Sequence, residues 1–103
     1  MPGYSLTLAF RGRAVEDLEE LLEVEDALYE MLAGSEEMDG HEITPQARLL
    51  FVLTNDAGAT FRRLLPFLRN AQLTGHLTAS AAPLAGGDAV VLWPEAAAAA
   101  PGG

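Results

Sequence analysis

The sequence predicts an α+β fold in which two helices lie on one face of an antiparallel sheet. Three observations carry that expectation. Leu49 to Leu53 is an uninterrupted apolar run of strand-favouring residues, long enough for a central strand covered on both faces. Tyr4 to Phe10 alternates large apolar with small residues, the period-two pattern of a strand with one well-covered face. Two other stretches, one over about 14–33 and one following Asp56, repeat their leucines at three- and four-residue steps, which is amphipathic-helix spacing.

Taken in order, the first strand should turn Tyr4, Leu6, Leu8 and Phe10 toward the helices, leaving Ser5, Thr7 and Ala9 on the other side. Arg11-Gly12-Arg13 reads as a turn. The first helix places Leu18, Leu21, Leu22, Leu28 and Leu32 in one stripe, widened by Val24 and Met31, with Glu16 and Asp17 complementing its dipole and Gly34 as a left-handed stop. Ser35 to Gly40 is a polar connector. His41 to Thr44 can form a short strand, and Pro45-Gln46-Ala47 turns it into the central run as an antiparallel hairpin.

Thr54, Asn55 or Asp56 can cap the second helix, whose apolar face is Phe61, Leu64, Leu65 and Leu68 and which should end near Asn70-Ala71. Pro66 inside it predicts a kink or an early end. Between Leu73 and Leu84 an edge strand is expected, since Gly75 and Pro83 are tolerated better at an edge than at a centre. Gly86-Gly87-Asp88 is a turn, and Ala89 to Trp93 is the last strand, closed by Pro94. Residues 1–95 are expected to form a single domain and 96–103, mostly alanine, a low-complexity tail.

This order of strand, helix, hairpin, helix, hairpin resembles the ferredoxin-like α/β plait, βαββαβ, with an added C-terminal strand. The resemblance spans Tyr4 to Pro94 and implies that the first strand and the Leu49–Leu53 strand lie side by side in the middle. Asp39-Gly40-His41-Glu42, Leu53-Thr54-Asn55-Asp56 and Val90-Val91-Leu92-Trp93-Pro94 together look like small bacterial proteins of this plait type. Some small acidic proteins of similar build act as immunity proteins for toxins, so the resemblance implies an interaction role, immunity- or inhibitor-like.

Composition narrows the classes. A chain of 103 residues is sized for one core, and the absence of cysteine removes disulfides, thiolate catalysis and cysteine-ligated zinc. Fifteen acidic residues against six arginines give a formal charge of −9, which repels nucleic acid and anionic membranes. Arg62, Arg63 and Arg69 form the basic cluster, without interleaved aromatic platforms, so neither a nucleic-acid nor a membrane partner is expected. The N-terminal stretch has neither a basic leader nor an apolar span, which predicts a cytoplasmic protein. Absent lysine beside plentiful Arg, Ala and Gly reads as a GC-rich bacterial coding bias.

On a helical wheel Glu16, Glu19, Glu20, Glu23, Asp26 and Glu30 share one face with no basic residue between them. Each i,i+4 like-charge pair costs a few tenths of a kcal/mol, so this face is a candidate docking surface for a basic protein, or a solvated face partly balanced by Arg62, Arg63 and Arg69. Glu25 projects nearer the apolar stripe, where it would snorkel or meet an arginine. Asp39, His41 and Glu42 form the densest functional-group cluster. They are the candidate metal or proton-transfer residues, with Asp56 or His76 completing a site, and a polar turn and edge hairpin is the plainer explanation.

Tyr4 and Trp93 could flank a ligand, and Asn55-Asp56 ahead of Gly58 could hold an anion, with core packing and capping as the plainer explanations. The serines lie in no nucleophile motif, and no catalytic residue or cofactor is expected. With helices on one face only, alternate residues of the central strand, either Leu49, Phe51 and Leu53 or Leu50 and Val52, with members of the last strand, leave an apolar face that a second copy of the chain, the tail, a partner or a ligand would cover. Homodimerisation through this open sheet face, with docking of a basic partner, is the leading expectation. A small-molecule or metal-binding regulatory domain built on Asp39, His41 and Glu42 is the alternative, and a dimeric plait enzyme would need an acid–base group on the open face.

Overall fold

The computed structural model describes residues 3–11, 18–32, 34 and 36–94, and within them one antiparallel sheet is covered on one face by two helices. The elements are β1 (Tyr4–Arg11), α1 (Leu18–Tyr29), β2 (Glu37–Ile43), β3 (Ala47–Thr54), α2 (Ala57–Asn70), β4 (Leu77–Pro83) and β5 (Val90–Trp93), with a 3-10 turn at Thr74–His76 before β4. Strand order is β2-β3-β1-β4-β5, a ferredoxin-like plait with β5 added outside β4. As the periodicity predicts, β1 and β3 lie side by side, with Leu6 opposite Val52 and Leu8 opposite Leu50.

The same residues of β1 face Ala81 and Ala79 of β4 on the other side. Leu6, Leu8 and Phe10 of β1, Leu50 and Val52 of β3 and Ala79 of β4 are buried against Leu21 and Leu28 of α1 and Phe61, Leu64 and Leu68 of α2. Small residues on β4 leave room for the leucines opposite. A fully buried leucine is worth roughly 1.5–3 kcal/mol of transfer free energy, so this buried set holds the fold.

Two local devices set the ends. Thr44 closes the β2–β3 hairpin: its hydroxyl donates to the Ala47 carbonyl and accepts from the Ala47 and Gln46 N–H groups, at 3.1, 3.0 and 3.3 Å. Asp56 is the cap of α2, accepting the Ala59 N–H at 3.0 Å with one carboxylate oxygen.

Several expectations are corrected. β4 is not an edge strand, because Gly75 falls in the turn before it and Pro83 is its last residue, so neither disturbs the ladders to β1 and β5. β2 begins at Glu37 instead of His41; a bulge at Asp39 and a positive φ of 115° at Gly40 let the supposed connector join the sheet. Helix α2 continues through Pro66 to Asn70, since the proline lies on the exposed side, where the forfeited backbone bond reaches water.

The regular part of α1 ends at Tyr29, tightened by Met31 N–H to Leu28 and Leu32 N–H to Tyr29 carbonyl bonds, ahead of Gly34 at φ 51°. Finally, β3 is covered by helices on one face only, and Leu49, Phe51 and Leu53 on the other are half-buried. The turn at Gly12-Arg13, the helix start at 14–17 and the tail at 95–103 lie outside the described residues.

Candidate functional site

Residues directly opposite in an antiparallel ladder share a face, so the registers define what the uncovered side presents. In its middle layer Phe51 lies between Gly40 of β2 and Thr7 of β1, with Ser80 of β4 beyond. Toward one end Leu53 is flanked by Glu37 and Ser5, and toward the other Leu49 is flanked by Glu42 and Ala9. The result is an apolar stripe along β3, bordered by hydroxyls on β1 and β4 and by two carboxylates along β2. No helix among the described residues crosses it. Among the described residues, Glu37 and Glu42 are the acid–base groups that the registers place on this face, at its margin.

On the opposite side of the molecule, Glu19, Glu20, Glu23, Asp26 and Glu30 are all exposed, and Glu16 lies outside the described residues. Arg63 pairs with Glu36, and the Arg69 guanidinium sits 5.7 Å from the centre of the Trp93 ring. Neither of these arginines is therefore spent on the α1 face. Glu25 meets a histidine instead of an arginine: its carboxylate is 3.4 Å from His41 Nδ1, joining α1 to β2.

That contact separates the Asp39, His41 and Glu42 cluster. His41 pairs with Leu50 and faces the helices, Glu42 pairs with Leu49 and faces away, and Asp39 is the extra residue of the bulge. His76 lies in the turn before β4, and Asp56 is engaged in capping. Among the described residues no group of three or more His, Asp or Glu side chains gathers at metal-ligating distance.

One polar network was invisible in the sequence. Thr54 and Thr60 are fully buried, and their hydroxyls stand 2.7 Å apart. Thr54 also accepts the Asp56 N–H, and Thr60 reaches the Glu36 carboxylate at 2.6 Å. Thr54 can donate to Thr60, and Thr60 then donates to Glu36, which Arg63 holds from outside, with the Asp56 carbonyl at 2.9 Å sharing the same Thr60 proton. Buried hydroxyls are costly without partners, so this chain fixes the segment before β2 against α2.

Tyr4 and Trp93, expected as possible ligand flanks, are not neighbours. The Trp93 ring packs 6.1 Å from the Phe61 ring and donates its indole N–H to the Thr74 carbonyl. Tyr4 instead borders a cleft of about 530 Å³ on the helix-covered side, between the N-terminus of α2 and the β4–β5 loop. Ala81, Pro83 and Val90 form apolar wall, and Asp56 and Asp88 are the charged groups of its lining. Positive φ at Gly86 (104°) and Gly87 (138°) shapes the loop that carries Asp88 to this position. The anion expected beside Asn55-Asp56 would meet two carboxylates there.

Comparison with protein-family models, with curated proteins and with solved structures gave no match. No helix among the described residues is long and apolar enough to cross a membrane.

Proposed function

We propose that this chain is a non-enzymatic protein-interaction module that self-associates through the uncovered sheet face and docks a basic partner on the acidic face of α1, in the manner of an immunity or inhibitor protein. One observation carries the reading: the Leu49, Phe51 and Leu53 stripe lies on the face that the helices leave open. Contiguous apolar surface of this kind on a small domain marks interaction sites. The exposed carboxylates of α1 support the second half, since complementary charge accelerates encounter and selects partners.

Native mass spectrometry and light scattering test it. The wild-type protein should be a dimer at micromolar concentration and Phe51→Asp a folded monomer, because a charge at the centre of the stripe would be buried unpaired. A wild type that stays monomeric, or a Phe51→Asp variant that remains dimeric, would remove the sheet face from the reading. Replacing Glu19, Glu20 and Glu23 by Gln should slow association with a basic partner and flatten its salt dependence.

A further inference from the structure

The cleft beside Tyr4 is separate from both surfaces used above, and its chemistry is specific. At about 530 Å³ it falls within the roughly 300–1,000 Å³ typical of small-ligand sites. Its apolar border is unusually open for large side chains, with Tyr4 41 % and Val90 62 % exposed. Two carboxylates from different elements look onto this border: Asp56 from the cap of α2 and Asp88 from the β4–β5 loop. Asp56 spends one oxygen on the Ala59 N–H, which leaves the lone pairs of the other. Asp88 has no hydrogen bond or ion pair among the described residues, and neither Arg nor Lys is among the residues lining the cleft.

We propose that this cleft binds an organic cation, a guanidinium or primary ammonium on a short apolar stem. The stem would lie along Tyr4, Ala81 and Val90, and the charged head would sit between Asp56 and Asp88. The Tyr4 ring adds a face that attracts cations, and two carboxylates can bracket one head group with charge-assisted hydrogen bonds. The alternative ligand classes fit less well. An anion meets two negative groups, and a neutral apolar molecule leaves both carboxylates beside it without compensation. Arg62 is the cation of the chain beside this site: its Nη1 comes within 3.7 Å of where a Cβ on Gly58 would stand, yet it makes no ion pair with Asp56 or Asp88 among the described residues.

The same head group can come from a free amine or from an arginine side chain, and one titration separates the sources. Butylguanidine, putrescine and a blocked tripeptide with a central arginine would be added to 15N-labelled full-length protein, with butylurea as the neutral match of butylguanidine. Butylguanidine should give saturable shift changes confined to Tyr4, Asn55 to Gly58 and Asp88 to Val90, and butylurea should give none. Asp56→Asn retains a capping side chain and Asp88→Asn lies in an exposed loop, so both should fold, and each should weaken butylguanidine by about tenfold. Tyr4→Leu should weaken it by about threefold.

Binding of the tripeptide at least as tightly as butylguanidine assigns the cleft to a protein side chain; binding of butylguanidine and putrescine without the tripeptide assigns it to free amines. Equal responses to butylguanidine and butylurea, shifts concentrated on α1, or unchanged affinity in both Asn variants would overturn the proposal. Because Phe51 lies on the opposite face of the sheet, Phe51→Asp should leave these shifts intact whatever it does to self-association.

Discussion

The two helices lie on the same face of one sheet and are held there in opposite ways. α2 buries Ala57, Thr60, Phe61, Leu64 and Leu68, is capped by Asp56, and is tied sideways through Thr60 and Arg63 to Glu36 and through Arg69 to Trp93. α1 buries only Leu21 and Leu28, two turns apart, while Leu18, Leu22 and Tyr29 of the same helix stay exposed. The Glu25–His41 contact ties it sideways to β2. Position is thus specified mainly by α2, and α1 is left to carry surface charge at little structural consequence.

Five substitutions would break or sharpen that contrast. The largest effect belongs to Leu64→Ala, which should cost about 2–5 kcal/mol in urea unfolding, against about 1 kcal/mol or less for the exposed Leu22→Ala. Equal losses would mean that both helices are anchored alike. Thr60→Val comes next, at about 1–3 kcal/mol, because it keeps the shape and strands the Thr54 hydroxyl and part of the Glu36 carboxylate; Glu25→Gln should cost less than about 1 kcal/mol. Hydrogen exchange should agree, with α1 amides opening before those of α2. The smallest effect is a gain. Asp26→Lys places a cation in the last turn of α1 and relieves repulsion from Glu23 and Glu30, which should add about 0.3–1 kcal/mol and raise Tm by a few degrees.

What could be read from the sequence follows the same division between local and non-local physics. The alternation from Tyr4 to Phe10, the apolar run through Val52 and the Asp56 cap are encoded within a few residues, and the structure reproduces them. The interior place of β4 was obscured because Gly75 and Pro83 looked like interior residues of the strand, whereas Gly75 precedes it and Pro83 is its last residue. The bulge that draws Glu37 to Gly40 into the sheet has no compositional signal beyond the glycine.

For the candidate sites, the run of carboxylates on α1 and an open apolar face on β3 were legible from periodicity, but whether Leu49, Phe51 and Leu53 or Leu50 and Val52 lay on that face was not. The Glu25–His41 contact, the Thr54–Thr60–Glu36 network and the meeting of Tyr4, Asp56 and Asp88 were not. Each joins segments that only the strand order brings together, and no spacing along the chain encodes that order.

The central place of β1 has a consequence for how the chain reaches this structure. Leu8 pairs with Leu50, which lies beyond α1 and β2 in the chain, and with Ala79, which lies beyond α2 as well. β1 therefore has neither ladder partner until β3, well beyond it in the chain, has been made. Folding dominated by such distant pairings is slow for a domain of this size. Until then the Leu6, Leu8 and Phe10 edge is the segment most in need of protection from neighbouring chains.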